Sequence, residues 1–342
     1  EYTYTNRHDD YVNQEGYVPT TYTRIREQNL AGYAQYSHPL PFGQANIGLR
    51  YEHVDFDYFE NGTFVPGQSR VYDNIFPNIS VNGQLGKVQF QVSYAAKTQR
   101  PNYSQLRNNI TYANRFTWQT GNPLLKPSVT HDITAVGVWR FFQAMVSYKV
   151  VRDYILYWGT QVENQSATTL INYINHDRLP SLTVMLAASP TIGIWNLNAS
   201  AIVMKQWFSL DAAGQRRTYN NPLFVGSLNN TFTLPAGFLL SADFNYQSRG
   251  QVQNITLKRP QYTLNIGLRK SLFNDALSIE ARANDLLLGC KQEALLYMES
   301  AQMKDLSWSD TRSFSLTVRY KFNAAKSKYK GTGAGQDTIN RM

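Results

Sequence analysis

Hydrophobic and polar positions alternate with a period of two along most of this chain, most regularly near its end. Phe314, Leu316, Val318, Tyr320 and Phe322 alternate with Ser315, Thr317, Arg319 and Lys321. Leu277, Ile279, Ala281 and Ala283 alternate with Ser278, Glu280, Arg282 and Asn284. The same holds for Leu240, Ala242, Phe244 and Tyr246, for Val88 to Ala96, and for Trp195 to Val203. Helical spacing competes nowhere over a comparable length. Short turns are predicted at Pro39 to Gly43, Gly83 to Gly86, Arg140, Ser189 to Ile194, Pro235 to Gly237 and Phe273 to Asp275. Longer polar, aromatic-rich connections are predicted at Arg7 to Thr21, Phe59 to Arg70, Arg100 to Ser128, Gly159 to Ser166 and Ser209 to Asn220. Short and long links alternate, which places all short turns at one end of about fourteen strands and all long loops at the other. An even count puts both termini on the short-turn side.

Two architectures fit. A soluble sandwich hides its apolar face between two sheets and uses strands of about five or six residues. A transmembrane barrel turns that face to lipid, needs about 9–11 residues per strand and keeps a polar interior. The alternating stretches here reach the longer length, and their apolar face avoids charge. Aromatics gather at strand ends (Trp139, Phe141, Phe142, Trp195, Phe238, Tyr320, Phe322), where interfacial girdles belong. Composition agrees: aromatic residues are 13%, including 23 Tyr and 17 Phe, while charged residues are only 17%. The sequence has no apolar run long enough for a membrane-spanning helix. The barrel is therefore the favoured reading, with a soluble glycan-binding β protein as the alternative from another class. The single cysteine, Cys290, excludes an internal disulfide framework. The net charge of +9 is partly concentrated in Lys326, Lys328, Lys330 and Arg341. Nothing in that distribution points to nucleic acid.

The longest loop and its flank carry a family resemblance. A strand ends at Arg100-Pro101, and Gly121-Asn122-Pro123-Leu124-Leu125-Lys126-Pro127 leads into the next one. This is similar to the "R-P … G-N-P-x-L-K-P-E" hallmark of TonB-dependent outer-membrane receptors, with Ser128 where an acidic residue usually stands. The closest likeness is to the outer-membrane β-barrel family abundant in Bacteroidetes. Asp73 to Leu85, Leu277 to Leu287 and the closing Ser313 to Phe322 extend it. The resemblance implies a transporter whose barrel has 22 strands and whose N-terminal plug engages an inner-membrane energy-coupling protein. Neither plug nor coupling box is visible here. Residues 1–322 are thus expected to be the C-terminal portion of such a barrel, and 323–342 a basic, Gly-containing periplasmic tail. Expected partners are outer-membrane lipid, the plug, the energy-coupling protein and, as a candidate, a surface lipoprotein. A plug-free outer-membrane channel or scaffold is the alternative in the same compartment.

Candidate chemistry is sparse. The five histidines are scattered, with no His-x-His or His-Glu-x-x-His spacing, so neither a metal site nor a cofactor is expected. No Gly-x-Ser-x-Gly context suggests a hydrolase. The expected mechanism is binding followed by gated passage, without bond chemistry. Loop Arg100 to Ser128 is the candidate ligand contact, through Tyr103, Arg107, Tyr112, Arg115 and Trp118, with Phe116 beside them. Aromatic area plus Arg and amide groups suits sugars or peptides. The same residue types also suit a loop packed on itself over the mouth. Gln89, Gln91, Asp243, Glu280, Arg282 and Arg319 are expected on the lumen face.

Overall fold

The computed structural model describes residues 1–12, 16, 18–162, 165–299 and 302–322. The basic segment 323–342 lies outside the described residues. The sheet begins with β1 (Tyr2–Tyr11), β2 (Thr21–Leu40), β3 (Gly43–Glu60), β4 (Arg70–Leu85) and β5 (Val88–Gln99). It continues through β6 (Ser128–Trp139), β7 (Phe142–Val162), β8 (Gln165–Ala188), β9 (Trp195–Gln206) and β10 (Leu223–Leu234). β11 (Phe238–Gln247), β12 (Gln261–Leu272), β13 (Leu277–Asn284) and β14 (Ser313–Tyr320) complete it. Each of these pairs antiparallel with the next, so the fold is an all-β meander of the expected strand number. Among the described residues no ladder joins β14 to β1.

Toward the short turns the register keeps one face apolar from strand to strand. Val88, Trp139, Phe142, Ala188, Ala199, Leu228, Phe244 and Leu264 stand directly opposite one another in a single row. The next row holds Phe90, Gly137, Ala144, Leu186, Ala201, Gly226, Tyr246 and Tyr262. A slip of one residue anywhere would exchange the faces, so the alternation itself fixes the register. This apolar face is uncovered: Leu316 is 71% exposed and Ile47 54%. Phe244, Leu264 and Ile279 are not buried either. Among the described residues no second sheet layer packs on it, which removes the sandwich reading. Gln89, Gln91, Asp243, Glu280, Arg282 and Arg319 all share the opposite face, where Arg282 Nη2 lies 3.3 Å from Asp243.

All six short connections (41–42, 86–87, 140–141, 189–194, 235–237 and 273–276) lie at one end of the strands, as expected. At the first, Gly43 and Gly83 face each other, and a side chain on Gly83 would collide with the Phe42 carbonyl. Stacked or tilted aromatic pairs line this end: Trp139 with Phe142 at 6.0 Å, and Phe141 with Phe142 at 4.5 Å.

The long-loop end is more ordered than the alternation suggested. β7 and β8 run 21 and 24 residues, straight through the connection expected from Gly159. The link expected over Ser209 to Asn220 is a hairpin, Phe208–Ala212 with Gln215–Tyr219. Gly250–Val252, Ile255–Leu257, Lys291–Tyr297 and Gln302–Trp308 form a separate four-stranded sheet that the sequence reading did not anticipate. Two of its strands are only three residues long, too short an alternation to register as a period.

Candidate ligand-facing site

β2 and β3 change character along their length. Toward the short turns, Tyr36, Ala34, Ile47, Leu49 and Tyr51 lie on the uncovered face, with Gln35, Asn46 and Arg50 opposite. Beyond Glu52 the assignment reverses. Ile25, Val54, Phe56 and Tyr58 now lie on the polar-lined side and are at most 2% exposed, while Arg24, Arg26, Asp55 and Asp57 point the other way. An apolar patch on that side must be covered, and loop 100–127 covers it.

The loop is built for this task. Asn102 caps the single turn α1 (Tyr103–Leu106): its Oδ1 accepts from Gln105 N at 2.9 Å, and Gln105 Oε1 accepts from Asn102 N at 3.0 Å. This capping box fixes the turn, and Tyr103 and Leu106, with Leu125, pack on Ile25, Phe56 and Tyr58. Each such fully buried side chain contributes roughly 1.5–3 kcal/mol. Burial pushes the Tyr58 hydroxyl up to about 12. The hallmark segment has a visible physical role. A side chain on Gly121 would fall 2.5 Å from the Gln105 carbonyl oxygen, so only glycine fits beside α1. Asn122 Nδ2 donates to Tyr173 O at 2.9 Å, and its Oδ1 accepts from Leu124 N at 3.0 Å.

Beneath the loop lies a layer of ion pairs. Arg100 Nη2 donates to Glu52 Oε2 at 2.6 Å and Nη1 lies 3.9 Å from Glu27, while Arg50 Nε donates to Glu52 Oε1 at 2.7 Å. Arg70 Nη1 donates to Pro123 O at 3.3 Å and its guanidinium covers the Phe56 ring at 4.8 Å. On β1, Asp9 accepts from Arg7 through both oxygens, which raises the Arg7 pKa.

The tall β7–β8 hairpin is the post against which the other loops lean. Thr117–Gln119 pairs parallel with Thr169, Leu170 and Ile171. Asn175 Oδ1 accepts from Lys126 N at 2.8 Å. The 208–219 hairpin packs Phe208, Leu210, Ala212 and Tyr219 on Val151, Leu156, Trp158 and Leu179. Leu296 of the four-stranded sheet and Met298, just past its strand, pack on Ile171. On that sheet, hydrogen bonds from Lys304 (3.0 Å) and Arg259 (2.8 Å) hold the Glu293 carboxylate below its ordinary range.

The five candidate contact residues divide. Tyr112 and Trp118 are cross-strand partners on the hairpin Thr111–Asn114/Thr117–Gln119, and Arg115 at its tip covers the Phe116 ring at 4.5 Å. Tyr112 is 43% and Phe116 50% exposed, so these residues form an accessible cation–aromatic cluster. Tyr103 is fully buried and serves packing in this conformation. Arg107 follows α1 and is half-buried. Trp308, 61% exposed beside Lys291 at 5.8 Å, is a further exposed aromatic that the alternation did not single out. Among the described residues no group of three or more His, Cys, Asp or Glu side chains is placed to hold a metal ion.

A model of the outer membrane protein beta-barrel family matches residues 1–320, and the chain belongs to that family. It is an outer-membrane protein. No curated protein sequence matches it. Its fold is similar to that of the FrpB iron transporter from Neisseria meningitidis, at 16% identity and a TM-score of 0.55, over 89% of this chain and 46% of that one. It is similar to the ferric-catecholate import receptor Fiu from E. coli K12, at 12% identity and a TM-score of 0.56, over 89% and 46%. The copper transporter OprC matches at 11% identity and a TM-score of 0.60, over 94% and 53%. The chain thus spans about half the length of these structures. The uncovered apolar face is the lipid face, and the polar face is the lumen wall.

Proposed function

We propose that this chain is the C-terminal portion of a TonB-dependent receptor barrel, which captures a scarce or bulky substrate outside the cell and admits it through a gated lumen. Additional strands and a plug would complete the wall, and an inner-membrane energy-coupling protein would drive passage. The hallmark segments quoted from the sequence support a Bacteroidetes source. The observation that carries the reading is the loop 100–127 turned onto the lumen wall. A free-diffusion channel needs an open bore, whereas here the outer parts of β2 and β3 are apolar on the lumen side and covered by a capped, ion-paired loop. The cluster Tyr112, Arg115, Phe116 and Trp118 is the proposed first contact for substrate, with aromatic faces for stacking and a guanidinium for direction. No bond is made or broken in this scheme; the protein binds, orients and releases.

Planar-bilayer recording on the full-length protein tests it. A receptor holds the bilayer silent under voltage, and removing 103–120 opens steps of conductance. Steady conductance of the unaltered protein would instead establish the plug-free channel.

A further inference from the structure

The lipid face carries a groove of about 760 Å3. Its floor comes from small residues in the two neighbouring rows: Gly137, Ala144, Ala188, Ala199, Ala201 and Gly226. Leu186, Phe224, Leu228, Phe244 and Tyr246 rise around it. The volume lies within the roughly 300–1,000 Å3 of pockets that hold small-molecule ligands. Its path is informative. At β6–β7 the groove meets the short-turn rim, because Trp139 and Phe142 flank turn 140–141 directly. At β10–β11 the same row, through Leu228 and Phe244, stands six residues above the turn at Leu234 and Phe238. That is about 20 Å further along the strands, at roughly 3.3 Å per residue. One end therefore opens at headgroup level and the other lies within the hydrocarbon.

The open end is basic. Arg140 is exposed and covers the Trp139 ring at 5.0 Å, and Lys87 is exposed in the adjacent turn. The four short turns nearest the groove (86–87, 140–141, 189–194 and 235–237) contain no acidic residue. We propose that the groove seats an anionic phospholipid of the leaflet that borders the short turns, its phosphate beside Arg140 and Lys87 and its acyl chains over the glycine and alanine floor. Charge complementarity selects the headgroup, because cations at the membrane surface favour anionic lipid. The filled groove presents a smooth wall to the surrounding bilayer.

Native mass spectrometry of the full-length protein, extracted in detergent and supplied with phosphatidylglycerol or phosphatidylethanolamine, tests this. Phosphatidylglycerol is expected to be retained severalfold over phosphatidylethanolamine. K87E together with R140E should abolish that preference without altering the barrel. A144F with A201F fills the floor and should reduce retention of both lipids severalfold, while A45F, on the same face but away from the groove, leaves it unchanged. Equal retention of the two lipids by the unaltered protein, or undiminished retention in A144F/A201F, would overturn the proposal. So would a dimer mass that A144F/A201F abolishes, since the groove would then belong to a second copy.

Discussion

The two halves of β2 and β3 follow one period and opposite polarities. Near the short turns Ala34, Ile47 and Leu49 face lipid while Asn46 and Arg50 face the lumen; beyond Glu52 the apolar side chains Ile25, Phe56 and Tyr58 face inward and Asp55 and Asp57 outward. The pleat supplies the alternation in both halves. What differs is the medium on each side: hydrocarbon outside the first half, water outside the second, with a docked loop inside it. A strand's apolar face is therefore set by what covers it at each level, and the switch at Glu52 marks where the bilayer stops.

The sharpest way to break this contrast is at the switch itself. Glu52 and Glu27 are nearly buried beneath the loop, and Arg100 is the cation between them. Removing one partner of a buried pair costs about 3–5 kcal/mol when the other charge is left alone. Arg50 stays on Glu52 at 2.7 Å, so Arg100→Leu is expected to lower stability toward the low end of that range in urea unfolding of the detergent-solubilised protein. Adding Glu52→Gln should restore part of it. No loss in Arg100→Leu would show that the layer is hydrated and does not hold the loop.

Next in size is a contrast between neighbours. Ile47→Arg places a cation on the lipid face and is expected to cost about 2–4 kcal/mol. Asn46→Arg, one residue earlier, enters the lumen and should cost well under 1 kcal/mol, as lumen changes are tolerated. Refolding into lipid vesicles measures both; equal costs would mean that the two faces meet the same medium.

The half near the short turns was legible in the sequence, and the other half was not. Rows such as Trp195 to Val203 repeat over long strands against a uniform apolar medium, so strand number, face and short-turn position all follow from alternation. Above the switch, Phe56 and Tyr58 still alternate, but nothing local says that their cover is Tyr103 and Leu106, about fifty residues on. The candidate loop was found through its hallmark and its aromatics. Its division was not, because a buried Tyr103 and an accessible Tyr112 read alike as letters. One available signal was missed: Asn102 and Gln105 form a capping spacing that announces α1. The four-stranded sheet built from 250–252, 255–257, 291–297 and 302–308 escaped because two of its strands have only three residues and its contacts with Ile171 are remote.

The capping box gives a smaller, local effect. Asn102→Ala removes the acceptor for Gln105 N and is expected to cost about 1 kcal/mol. That loss falls on the loop rather than on the barrel, so limited trypsin cleavage at Arg107 and Arg115 should quicken several-fold while urea unfolding of the strands stays unchanged. Cleavage at the unaltered rate would mean that burial of Tyr103 and Leu106 alone holds the turn.

The smallest effect tests the water-bathed half by pH. His176, on the stretch of β8 that rises past the bilayer, meets the Phe208 ring edge-on at 4.6 Å. Burial lowers its pKa from the ordinary 6.5; Asp177 opposes the shift and Arg216 adds to it. A histidine depressed in the folded state binds fewer protons there than in the opened one, so its contribution is complete above about pH 6.5 and fades as pH falls through the lowered value. Hydrogen exchange in the 208–219 hairpin should therefore quicken on moving from pH 7.5 to 5, after correction for intrinsic rates. His176→Phe keeps the ring contact with Phe208, cannot take up a proton, and is expected to flatten the dependence. The lipid-facing half of β8, around Val184 and Leu186, carries no titrating group at that level and should show no change over the same range. An equal response in both stretches would trace the effect to global loosening and remove His176 as its cause.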